Sequence, residues 1–106
     1  MLYSTLPTII YRDYPDFGFL TDNRIYGYDT ASKSSIKIGE RLLSKTGSIF
    51  YSVLNNTPQS LQTICEKLSQ IYNTIPIFEI EKDATVFYEE LANDGFIQEC
   101  SSSIVR

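Results

Sequence analysis

The chain has 106 residues, 42% hydrophobic and 21% charged, which is the make-up of one globular domain with one core. Thirteen acidic against nine basic residues leave a formal charge of −4, so neither nucleic acid nor an anionic membrane is expected as a partner. With no histidine, no CxxC pair and two cysteines, the chain offers no zinc site, His-based dyad or disulfide framework, and no cofactor is expected.

Residues 1–7 read as an arm ahead of the first strand. Thr8 to Arg12 is β-branched and aromatic, and Asp13 and Pro15 stop it. Phe17 to Thr21 faces Arg24 to Tyr28 across Asp22-Asn23, a hairpin signal. Alternation puts Phe17, Phe19 and Thr21 on one face and Gly18 and Leu20 on the other. Asp29 to Ser35 is small and polar, a loop. Ile36 and Ile38 alternate into a third strand that passes a bulge or bend at Gly39 and ends at Glu40–Leu43.

The third strand then hands over to a helix with almost no loop. Ile49, Phe50, Val53 and Leu54 form one helical stripe from Gly47 to about Leu54, and Ser44 or Thr46 is placed to cap it. Asn55-Asn56 ends this helix. Thr57 as N-cap and Pro58 at the first position open a second, carrying Leu61, Ile64, Cys65, Leu68, Ile71 and Tyr72 on its apolar face. A third runs from Phe78 or Glu79 to Asn93, with Ile80, Ala84, Phe87 and Leu91 on one stripe and Gly95 as terminator. Phe96 to Glu99 is extended. Strands followed by helices make an α+β class; three strands and then three helices give a winged-helix-like order, with the third helix expected against the sheet. The single domain covers 1–106, its core about 8–98. No apolar run reaches membrane-spanning length and no basic-then-apolar leader opens the chain, so the cytoplasm is the expected location.

The junction Leu43-Ser44-Lys45-Thr46-Gly47-Ser48-Ile49-Phe50, the helix opening Thr57-Pro58-Gln59-Ser60-Leu61, and Asp83 to Phe87 running through Leu91 to Gly95-Phe96-Ile97 resemble the PqqD-like domains. These are the precursor-peptide recognition elements of ribosomal peptide natural-product pathways. IIYRDYPDFGFLTDN, YGYDTAS and LLSKTGSIFYSVL look more closely like the N-terminal recognition domain of radical SAM peptide maturases. The likeness runs from about Thr8 to Gln98. It implies a binding domain, not an enzyme. Its partners would be the leader of a precursor peptide, added as a strand beside the third helix, and a radical SAM maturase, fused or separate, that does the chemistry. No CxxxCxxC motif occurs in this chain, so that iron–sulfur centre would lie elsewhere, whether the chain stands alone or is the first part of a maturase.

Carried over residue by residue, the resemblance implies a peptide site at Glu40, Arg41, Leu42, Leu43 and Ser44 with Ala84, Phe87, Tyr88 and Leu91. A free edge strand suits such a role, because an extended peptide satisfies its N–H and C=O groups. Leu42 and Leu43 point to opposite faces, so one of them serves the core. Phe87 and Leu91 lie on the core stripe and read first as structural. Tyr88, on its flank, is expected to be a partly exposed aromatic. The alternatives are a winged-helix DNA-binding regulator and an enzyme. Glu79, Glu81, Asp83, Glu89, Glu90 and Asp94 stand against Lys82 alone on the third helix, which opposes the first alternative. The missing histidine and metal motifs oppose the second.

Overall fold

Tyr14-Pro15-Asp16 turns the chain between two strands, β2 (Ile9–Asp13) and β3 (Phe17–Asp22), with the Tyr14 N–H donating to the Phe17 carbonyl at 2.9 Å. A computed structural model describes residues 2–22 and 39–100. Besides these two strands it contains β1 (Leu2–Thr5), β4 (Glu40–Ser44), α1 (Lys45–Ser52), β5 (Gln59–Ser60), α2 (Leu61–Ile71), α3 (Ile77–Asn93) and β6 (Ile97–Cys100). The expected hairpin strand Arg24 to Tyr28, the loop after it, and Ile36 and Ile38 lie outside the described residues. The class is α+β, with an antiparallel sheet β2-β3-β4 and three helices in a winged-helix-like order.

The alternation expected for β3 holds. Gly18 and Leu20 are buried, while Phe17, Phe19 and Thr21 face outward. Helix α1 lies on this inner face, directly on β3 and β4. Gly18 permits the approach: a Cβ there would sit 2.5 Å from Ser48 Oγ. Around that contact the Tyr11 hydroxyl lies 2.5 Å from Ser48 Oγ, and the Ser48 hydroxyl donates to Asp13 Oδ1 at 3.1 Å, tying α1 to β2.

Three expectations are corrected. Residues 2–5 are not an arm: β1 is the middle strand of a second antiparallel sheet, β5-β1-β6, and its Tyr3 is 2% exposed. Helix α2 does not start at Thr57-Pro58. Gln59 and Ser60 pair with Tyr3 and Leu2, and Ser60 then caps α2 by accepting the Thr63 N–H at 3.1 Å. The third helix is not the element that covers the first sheet. α1 does that, while α3 packs on α2 and β6. The predicted stop is present, with Gly95 at φ 84° and the Phe96 N–H reaching back to the Leu91 carbonyl at 2.9 Å. The two sheets and the helices close over one core that includes Leu20, Leu43, Phe50, Ile64, Leu68 and Leu91.

Candidate peptide-binding edge

β4 pairs with β3 in the register Phe17↔Ser44 to Thr21↔Glu40. The Asp22 N–H donates to the Gly39 carbonyl at 2.7 Å, and this sets the phase of the ladder. Backbone groups alternate sides along an antiparallel strand. Gly39, Arg41 and Leu43 therefore turn their N–H and C=O toward β3, while Glu40 and Leu42 turn theirs to the opposite edge. Among the described residues no strand pairs with that edge.

Side chains alternate between the two faces of β4. Leu43 points into the core, 3% exposed, and Arg41 shares its face. Glu40, Leu42 and Ser44 share the outer face, and Leu42 is 66% exposed. Ser44 also ends the strand: its hydroxyl accepts the Gly47 N–H at 3.0 Å and starts α1. The expectation that Ser44 or Thr46 caps this helix thus resolves to Ser44, and the helix begins two residues earlier than its apolar stripe implied.

Arg41 reaches from β4 to the C-terminal part of α3. Its guanidinium pairs with Asp94 and lies 3.9 Å from Glu90. At the other end of β4, an added Cβ on Gly47 would lie 3.0 Å from the Phe87 ring. Helix α3 therefore runs alongside β4 in the opposite direction, Phe87 near its end and Asp94 near its start. Glu79, Asp83, Val86, Glu90 and Asp94 recur at i, i+4, i+7, i+11 and i+15, one stripe along that side of α3. Val86 is 56% exposed in the middle of it.

The sequence-derived site divides in two. Glu40, Arg41, Leu42 and Ser44 lie on β4 outside the core, and the half-buried Phe87 lies against Gly47, just past the end of that strand. Leu43, Ala84, Tyr88 and Leu91 belong to the core. Tyr88 is the clear correction, being fully buried rather than partly exposed. Its ring packs against Tyr3 with centroids 5.4 Å apart, and its hydroxyl donates to the Phe50 carbonyl at 2.6 Å. That carbonyl lies in the last turn of α1, where Leu54 bonds to Tyr51 instead, so Tyr88 satisfies a group the helix leaves over. Burial, and secondarily Cys65, pushes the Tyr88 phenol far above its ordinary value. Glu90 and Asp94, which reach Arg41, and the exposed Val86 on the same helical stripe were missed as site residues. Their signal was the i, i+4, i+7 spacing among the acidic residues, which places one apolar side chain between carboxylates.

Among the described residues no group of three or more His, Cys, Asp or Glu side chains is placed to hold a metal ion. No helix there is long and apolar enough to cross a membrane. Both cysteines are free, and burial raises the pKa of the Cys65 thiol. No family model, curated protein or solved structure matches this chain.

Proposed function

We propose that this chain is a peptide-binding module. It takes the leader segment of a ribosomally made precursor as one more strand on β4 and presents it to a modifying enzyme. On this reading that enzyme is a radical SAM maturase, fused to this domain or separate from it, and the complex works in the cytoplasm. The domain itself needs no cofactor and does no chemistry. The observation that carries the reading is the β4 edge, where the backbone groups of Glu40 and Leu42 face away from β3 beside the exposed Leu42 side chain. Edges of this kind are covered, charged or used for pairing, and pairing with an extended peptide supplies main-chain bonds without reshaping the fold. The resemblance to PqqD-like recognition elements supports the same edge.

A winged-helix order also occurs in DNA readers. Here the stripe Glu79, Asp83, Glu90 and Asp94 would repel phosphate, and that favours the peptide.

The test uses a peptide from a short reading frame beside the gene for this chain, followed by backbone amide shifts on titration. Shifts centred on Glu40 and Leu42 and on α3 from Val86 to Glu90 are the expected result. Saturable binding with those amides unmoved, or tight and salt-sensitive binding of duplex DNA, would overturn the proposal.

A further inference from the structure

We infer that the peptide taken by β4 carries an apolar–apolar–basic triplet, read from its N-terminus, with the central residue opposite Leu42. This rests on strand addition at β4, as proposed above, takes the added strand as antiparallel like its neighbours β3 and β4, and adds what the edge selects.

The phase of the ladder fixes which way each side chain of the added strand points. A peptide residue opposite Leu42 shares its pleat and stands on the outer face. There it meets the Leu42 side chain, itself paired with Phe19 on β3, so an apolar residue extends an apolar row. The residues before and after it stand opposite Leu43 and Arg41 and point to the inner side, toward α3. An antiparallel strand places the preceding residue opposite Leu43, at the end of β4 beside Gly47 and Phe87. Phe87 is half-buried and the neighbouring Val86 exposed, so an apolar side chain fits there.

The following residue stands opposite Arg41. Two carboxylates, Glu90 and Asp94, converge there on one guanidinium. The group is one negative charge in excess, and the Glu90 side chain is 63% exposed. Lysine or arginine at this position supplies the missing cation, whereas an acidic residue adds to the excess. Glu90 is the selecting residue, because Arg41 lies 3.9 Å from it but closer to Asp94.

The experiment is a selection of displayed random short peptides on the intact chain and on Glu90→Lys, followed by amide-shift mapping of one selected peptide. Wild type should enrich apolar–apolar–basic triplets. Glu90→Lys should lose the basic preference and keep the apolar pair. Changing the basic residue of the mapped peptide to Glu should weaken binding to wild type by about two- to fivefold, the range of a partly exposed ion pair, and less on the variant. If selected peptides move the Glu40 and Leu42 amides but show no basic preference, or one that Glu90→Lys leaves unchanged, the triplet is wrong and strand addition stands. If they leave those amides unmoved, or none is selected, both fail.

Discussion

Tyr88 shows how one hydroxyl decides the role of a side chain. Its ring fills the space between Tyr3 and Phe50, and its O–H reaches the carbonyl that α1 leaves over. Tyr88→Phe keeps the ring and strands that buried acceptor, so it should cost about 1–3 kcal/mol. Tyr88→Ala removes the ring as well and should cost about 3–5 kcal/mol, the range for a buried aromatic. Urea denaturation of both variants checks this, and a Tyr88→Phe chain as stable as wild type would refute the role given to the hydrogen bond. Tyr51 gives a second prediction. Burial, with Tyr11 beside it, pushes its phenol from 10.0 up to about 12. The unfolded chain gives up this proton first, so the contribution to stability is fully present below pH 10 and is lost as pH rises through about 12. Stability measured from neutral pH upward should fall across that window, and Tyr51→Phe should flatten the fall.

At the level of the element, β4 has two sides that proline distinguishes. The Arg41 N–H belongs to the β3 ladder, whereas the Leu42 N–H faces the open edge. Proline is tolerated where a strand's N–H has no ladder partner. Leu42→Pro should therefore keep its thermal melt close to wild type and lose peptide binding. Arg41→Pro breaks a ladder bond and leaves the facing β3 carbonyl without its donor, so it should destabilise the fold by about 1–3 kcal/mol. Melting curves followed by circular dichroism, with a peptide titration of each variant, separate the two. A Leu42→Pro chain that folds and still binds peptide at full strength would show that the outer edge of β4 is not the docking strand.

Over the whole molecule, β1 joins distant parts of the chain. It pairs with β5 on one side and β6 on the other, and its Thr5 N–H donates to the Asn55 carbonyl at 2.9 Å. Tyr3, 2% exposed, lies against Tyr88 at the centre of the core. A chain beginning at Leu6 loses this ring, worth about 3–5 kcal/mol by itself, along with both pairings. A domain of this size is stable by only about 5–15 kcal/mol, so the truncated chain should be marginal. Denaturation of that truncation is the check, and a midpoint near that of the full chain would show that β1 is dispensable. The α3 stripe also belongs to this scale, because only the packing of the third helix brings Glu90 and Asp94 to Arg41.

The features legible in the sequence are those that local chemistry controls. The junction at Ser44, the alternation of β3, the apolar stripe of α2 and the stop at Gly95 each follow from a cap, a two-residue period, a helical period or one left-handed residue. The strand at Glu40–Leu43 was legible for the same reason, whereas its place at the end of the β2-β3-β4 order is a property of the sheet. Tertiary structure decided what no local window contains. Leu2–Thr5 is a strand because its partners lie near residues 60 and 97, which no short-range pattern announces. Gln59 and Ser60 are strand rather than helix because β1 claims their backbone. Tyr88 displaces Phe87 from the centre of the α3 stripe because Tyr3 and the Phe50 carbonyl lie on that side. Helical spacing places both aromatics within a turn of one another, and only the opposing surface decides which of them is buried and which stands at the margin of the core.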